Sequence, residues 1–289
     1  MKLCALPNLS KALVAAIVFA AFGLSISSTA KATTFPDLGQ AANFAVFSLD
    51  GTVNNLSNVT VNGNVGVGPN GDLKLMAPST VNGTVFRDPS STISANAGTA
   101  TGGFQVTSLS QAVTDAQNAS TAFAALTPTV TLGNITTATT INRTGVDTVI
   151  NLSGGITLNN ANLTLNGGAG DSFVLNIQGG LSLVGTAALT LTGGVLPQNV
   201  FYNFLGTGTT LATHVGDSVI GVVLAVQRDI NFDGSFIGEI IGGGSQLSLL
   251  SGATVTTVIP EVPAFAPLAG VFVLVIGLSH LRRRQRATV

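Results

Sequence analysis

Short runs in which apolar residues alternate with small polar ones, punctuated by Gly and Asn, constrain this chain more than any other feature. Val59-Thr60-Val61-Asn62-Gly63-Asn64-Val65-Gly66-Val67 sets its valines on one side at a period of two. Ile156-Thr157-Leu158-Asn159, Leu163-Thr164-Leu165-Asn166-Gly167, Phe173–Ile177, Leu181–Val184 and Leu189–Thr192 do the same. Successive strand residues point to opposite sides of a sheet, so such runs read as strands with one buried face. Turn residues recur about every eight to twelve positions, the spacing of an all-β protein. A β-sandwich shares this pattern. The runs are short and alike, however: Val61-Asn62-Gly63 returns as Val81-Asn82-Gly83, and Gly-Gly pairs stand at 154, 167, 179 and 193. Weak self-similarity of this kind favours a solenoid, whose coils bury a common interior and whose Asn and Thr stack from rung to rung. The expected fold is all-β: a right-handed β-solenoid (β-helix) with one flanking α-helix, plus an N-terminal signal helix and a C-terminal transmembrane helix.

The flanking helix is expected at about 108–126. There Leu109, Val113, Ala116, Phe123 and Leu126 make a narrow apolar stripe among alanines. Ser108 or Ser110 is a candidate cap, and Thr127-Pro128 ends the helix. Such a helix would lie along the flank of the coils and cover an apolar side.

Both ends of the chain read as export signals. Lys2 and Lys11 precede an apolar stretch, Ala12–Ile26, and Ala30-Lys31-Ala32 has the small-x-small form of a cleavage site, so residues 1–32 are expected to be a signal peptide. Ala264–Leu281 has no charged residue and is long enough to cross a bilayer as a helix. Arg282, Arg283, Arg284 and Arg286 follow it and should stay on the cytoplasmic side. The one cysteine, Cys4, falls in the signal, so the remaining chain has neither a disulfide nor a cysteine-held metal. Between the two ends, residues 33–259 carry Lys74, Arg87, Arg143 and Arg228 against eleven acids. A sparsely charged, mildly acidic domain without a basic patch argues against nucleic-acid binding.

Pro260-Glu261, an apolar span and an arginine cluster, in that order, resemble the PEP-CTERM sorting signal of Gram-negative bacteria, with Val262 in the third place and Pro263 after it. The resemblance makes residues 260–289 a sorting tail with a transient span at 264–281 and an Arg cluster at 282–286. It implies an exosortase as processing partner. Within 33–259, Asn43-Phe44-Ala45-Val46-Phe47, Asn62–Gly68, Ala77–Gly83, Ala122–Pro128, Tyr202-Asn203-Phe204 and Gly234–Gly244 look like the choice-of-anchor A family of bacterial surface domains. Phe44-Ala45-Val46 and Asn199-Val200-Phe201 are also similar to the bacterial ice-binding family. These motifs are strand cores and structural glycines, so they imply a fold more than an activity.

Groups that would carry chemistry are scarce. His214 is the one histidine outside the ends, and a hydrolytic triad would need it to meet both Asp217 and an activated serine. No nucleophile-elbow motif accompanies it, and no pair of acids can be nominated for glycoside cleavage. Asp229-Ile230-Asn231-Phe232-Asp233-Gly234 matches the first half of a calcium loop, a weak candidate through Asp229, Asn231 and Asp233. Position 240, where the bidentate glutamate belongs, is Ile240, and a strand with Ile230 and Phe232 inward explains the segment equally well.

The main expectation is an exported, non-catalytic bacterial cell-surface or extracellular-matrix protein, adhesin-like, sorted by an exosortase and using no cofactor. It would cross the inner membrane transiently, then reside at the cell surface or outside. Its partners would be the secretion machinery and exosortase, with extracellular polysaccharide, matrix protein or ice as ligand. The alternative is an ice-binding protein. A solenoid face carries side chains about 6.7 Å apart along a strand and about 4.8 Å apart between rungs, a lattice suited to ordering water. Thr129, Thr131, Thr190 and Thr192 have the alternation for such a face. A weaker alternative is a polysaccharide-active β-helix enzyme.

Overall fold

The computed structural model describes residues 35–50 and 53–258. The signal expected at 1–32, with Ala30 and Ala32, lies outside them, as does the tail at 260–289 with Pro260, Glu261, Arg282, Arg283 and Arg284. No helix among the described residues is long and apolar enough to cross a membrane.

The described chain is a parallel β-solenoid with three faces. An eight-stranded sheet forms one face, and a seventeen-stranded sheet bends around the other two. Each coil contributes a strand to each face in turn: Asp147–Leu152, Ile156–Asn159 and Asn162–Asn166 make one, and Ser172–Ile177, Leu181–Val184 and Ala188–Thr192 make the next. Corresponding strands pair in parallel, for example Ile150 opposite Leu175, Leu158 opposite Leu183 and Leu165 opposite Leu191. Inward residues are therefore stacked on their equivalents one rung away. Leu158, Leu163, Leu165, Leu175 and Leu183 are all fully buried. Each such side chain contributes roughly 1.5–3 kcal/mol of transfer free energy.

The corner between the eight-stranded sheet and the face that follows it explains the Asn and Gly punctuation. Asn58 and Asn160 turn that corner with φ of 56° and 50°, and Gly185 does so with φ of 85°. Asn and Gly tolerate this left-handed region better than other residues do. Two longer strands, Ser218–Ala225 and Ser235–Gly242, pass around another corner and serve two faces each. They bend at Gly221 and Gly238, which are in register. A Cβ at Gly238 would stand 2.1 Å from the Gly221 carbonyl oxygen, so only glycine fits.

The chain does not climb the solenoid in one pass. Residues 46–106 form coils that stack on the C-terminal coils across a seam, where Val46 pairs with Ile240, Asn55 with Ser248 and Thr60 with Thr254. The helix Ser110–Ala124 then carries the chain along the outside, and residues 130–256 build the remaining coils back toward the seam.

The helix falls within the expected 108–126, but its start differs. Leu109 occupies the cap position, and neither Ser108 nor Ser110 supplies a side-chain cap. Instead the buried Asp88 accepts the Leu109 amide through Oδ2 at 3.1 Å. Burial pushes the Asp88 carboxyl up, but bonds from the Ser90 and Leu109 amides and the Ser90 hydroxyl outweigh it and hold it below its usual value. At the other end, Asn203 and Ser120 bind each other twice: Asn203 Nδ2 donates to the Ser120 carbonyl at 3.0 Å, and Ser120 Oγ donates to Asn203 Oδ1 at 2.7 Å. Asn176 Nδ2 donates to the Phe123 carbonyl at 2.7 Å. Asn203 also donates to Asn176, so two rungs of an asparagine ladder fasten the helix. Its buried side is Ala112, Ala116, Ala119 and Ser120, small enough to sit close to the strands, and the fully buried Phe123, whose ring centroid lies 4.7 Å from that of Phe201.

Candidate functional surfaces

The helix covers part of one face, leaving the eight-stranded sheet and the third face open. On the eight-stranded sheet the parallel register aligns one rank opposite the core: Thr157, Ser182, Ala212, Asn231, Ser248, Asn55, Lys74 and Ser94, of which Ser248 is buried and accepts a 2.8 Å bond from Gln246 Nε2. Asp72, two residues before Lys74, accepts a 2.7 Å bond from Thr92 Oγ1.

On the third face two outward ranks run side by side. One contains Asn162, Ala188, Ser218, Ser235, Thr254, Thr60, Thr80 and Thr99. The other begins Thr140, Thr164, Thr190, and continues beyond the bend as Ile237, Thr256 and Asn62. Side chains in this rank bind one another between rungs. Thr164 and Thr190 hydroxyls are 3.1 Å apart, Asn62 Nδ2 donates to Thr256 Oγ1 at 3.1 Å, and Asn82 Nδ2 donates to Asn62 Oδ1 at 2.8 Å.

The four threonines singled out in sequence do not share a face. Thr190 and Thr192 lie on the third face, where Thr192 Oγ1 donates to Asn166 Oδ1. Thr131 sits on Val130–Leu132, which pairs with Asp147–Leu152 in the helix-side part of the sheet, and Thr129 Oγ1 bonds the Val149 carbonyl there. The alternation had no way to say which face each run would join. Thr164, two residues after Asn162 and already in an alternating run, is the neighbour of Thr190 that a coil-by-coil alignment could have found.

The D-x-N-x-D-G segment does not form a calcium loop. Ile230–Phe232 is a strand, with Ile230 and Phe232 buried in the core. Asp229 Oδ1 is occupied by the amides of Ser245 and Gln246 at 2.8 and 3.0 Å. Burial raises the Asp233 carboxyl, against the opposing pull of His214. Among the described residues no group of three or more His, Cys, Asp and Glu could hold a metal ion. His214 and Asp217 meet, but not as in a triad: Asp217 Oδ2 accepts the His214 backbone amide at 2.8 Å. The imidazole Nδ1 lies 2.7 Å from the Leu183 carbonyl, and Asp217 Oδ1 takes the Ala187 amide. These groups close a corner of the coil.

The ice-binding-like family model matches residues 48–256, the whole span of the coils. An ice-binding protein of Flammulina populicola is 31% identical over 224 residues, covering 76% of this chain and 88% of that protein. The ice-binding protein of the Antarctic ascomycete Antarctomyces psychrotrophicus superposes with a TM-score of 0.57 at 24% identity, covering 77% of this chain and 98% of that one. A Shewanella frigidimarina ice-binding protein domain does so with a TM-score of 0.54 at 18% identity, covering 78% and 98%. At these identities the superpositions speak for the fold. The family match and the 31% relative overturn the expectation of an adhesin-like surface or matrix protein, and with it the polysaccharide-active enzyme; the chain is not an enzyme. The chain belongs to the ice-binding-like family.

Proposed function

We propose that this protein binds ice through an open face of its solenoid. The observation that carries the reading is the family match over 48–256, which coincides with the coils that set side chains in register on two open faces. Parallel rungs repeat about every 4.8 Å, so polar and methyl groups on such a face recur on the scale of water spacings. Hydrogen bonds between neighbouring rungs hold several of them in place, which lowers the ordering cost of binding a periodic surface.

The same reading places the protein outside the cell. Residues 1–32 would direct export, with cleavage at Ala32 or Ala30. The 260–289 tail, through Pro260, Glu261 and Arg282–Arg284, would hold the protein transiently in the inner membrane for an exosortase. The surface-domain resemblance to the choice-of-anchor A group fits such an arrangement. Thermal hysteresis and inhibition of ice recrystallisation test the function; a folded protein inactive in both at high micromolar concentration would refute it.

A further inference from the structure

The described coils are open at one end. Thr92–Asn96, Thr99–Ala100 and Phe104–Val106 form the last coil there, and among the described residues each strand has a partner on one side only. Register sets Ile93 over Leu73, Ala95 over Leu75 and Phe104 over Val85. Leu73, Leu75 and Val85 are buried, so Ile93, Ala95 and Phe104 hold core positions with no further described coil above them. Phe104 is 48% exposed in consequence. At the opposite end of the stack the inward residues Ile135 and Ile141 are buried. Ile93, Ala95 and Phe104, with Arg87, Ser91 and Thr92, line a cavity of about 520 Å³. That size is within the range of small-molecule sites.

We infer that this open end binds an amphipathic carboxylate: an unbranched acyl chain with its carboxyl group on Arg87 and its methylenes over Ile93, Ala95 and Phe104. The end of the stack is not one of its open faces, so this site stands or falls independently of ice binding.

Charge selects the head group. Arg87 is half-buried, and its Nη1 donates to the Ser91 carbonyl at 2.7 Å and to the Asp88 carbonyl at 3.5 Å. These bonds hold the guanidinium at the cavity. Its Nε and Nη2 make no bond among the described residues, and no acid there pairs with it. The Asp88 carboxylate is already taken by Ser90 and the Leu109 amide. Asp72 lies on the outer side of its strand, where it accepts the Thr92 hydroxyl. A guanidinium with one edge unspent is a fork for a carboxylate, which it can bind through two parallel N–H donors.

The floor selects the tail. Ile93, Ala95 and Phe104 offer no polar side-chain group, and residues 89–109 contain no Asp, Glu, Lys or Arg. A peptide seated over that floor would bury amides against it, a cost that an acyl chain avoids. Each methylene moved fully out of water is worth about a factor of four in affinity. The cavity is open on one side and leaves one flank of the chain wet, so roughly two-fold per methylene is expected.

The test is calorimetric titration of the full chain with octanoate, decanoate, decanol and decyltrimethylammonium, each below its micelle concentration. Decanoate should bind about four-fold more tightly than octanoate and at least about tenfold more tightly than decanol or the cation. Arg87→Gln should weaken decanoate by about tenfold or more and leave decanol unchanged. Phe104→Ser, at an exposed position, should weaken both. Circular dichroism and thermal melting establish that each variant is folded, and Phe104→Ser carries the test if Arg87→Gln is not. No decanoate binding at low millimolar concentration overturns the site, as does equal binding of decanoate and decanol by wild type. Undiminished decanoate binding in a folded Arg87→Gln or Phe104→Ser variant overturns it too.

Discussion

Arg228 is 3% exposed and points its guanidinium into a corner of the coil. Nη2 donates to the carbonyls of Gln178 at 2.6 Å and Leu205 at 2.8 Å, and Nε donates to Gly206 at 3.0 Å. A Cβ at Gly208 would stand 2.5 Å from Nη1, so the loop is shaped around this one side chain. Replacing it by methionine keeps most of the aliphatic stem and removes every donor. Nη1 adds a longer bond to the Thr209 carbonyl at 3.5 Å. Hydrogen bonds to a charged group contribute about 1.5–3 kcal/mol each, but these four share one side chain and are not additive. Gln178 and Gly206 are exposed, so water can reach part of the vacated site. The expected loss for Arg228→Met is about 3–5 kcal/mol, a large share of the 5–15 kcal/mol typical of a domain. Arg228→Lys retains the charge but not the planar fork, and should lose about half as much. Urea unfolding followed by circular dichroism measures both. A methionine variant within about 0.5 kcal/mol of wild type would show that these carbonyls do not depend on the guanidinium.

Two further outcomes follow from buried polar groups. Glu239 lies opposite Val222 with Oε2 buried and unpartnered among the described residues, and burial pushes its carboxyl from 4.5 up to about 8. Its folded-state pKa exceeds the unfolded one, so the stability it allows is fully present below about pH 4.5 and is lost as pH rises through about 8. Between those limits wild type should lose roughly 3–5 kcal/mol relative to Glu239→Gln. Equal pH dependence of the two melting temperatures would contradict this. Asn203→Leu removes both bonds to Ser120 and the one to Asn176 from a site with no exposure. It should destabilise the protein by about 2–4 kcal/mol and speed amide exchange in Ser110–Ala124 more than elsewhere; uniform exchange would mean that the ladder does not fasten the helix.

Much of the coil was legible because burial on one side forces a period of two. Leu181–Val184 is a strand over the stretch read from sequence, and Phe173–Ile177 and Leu189–Thr192 each gain only one residue at the start. The helix was legible from its alanine-rich stripe, but its capping was not. The Leu109 amide is taken by Asp88, 21 residues earlier, and no local pattern announces such a partner. Arg228 and Asn203 were hidden for a similar reason: each acts through partners that only the stacking of coils brings near. The third-face ranks were hidden by unequal coils. Asn142 and Asn166 are 24 residues apart, Thr164 and Thr190 are 26, and Asn62 and Asn82 are 20. A search for Thr at a constant repeat length fails even though the strands are in register, because the turns absorb the difference.

The seam hides still more. Asn62 and Thr256 are hydrogen-bonded neighbours separated by 194 residues, and the five-rung rank from Ser235 to Thr99 takes its rungs from both sides of that break. A chain that climbed once from end to end would have placed those threonines in order along the sequence. Here the coils of 46–106 are made first and stack on coils that the chain reaches only after the helix has carried it back. Closing that seam brings together residues of very large sequence separation, the slow kind of contact in folding. Once closed, it is held by ladders on all three faces, with Val46 against Ile240, Asn55 against Ser248 and Thr60 against Thr254. The regularity of the third face is therefore a property of the closed solenoid, belonging to neither block alone. The helix contributes to that face from the opposite side of the molecule, because the route it provides, pinned at Asp88 and at the Asn176–Asn203 ladder, is what lets the two blocks meet in register.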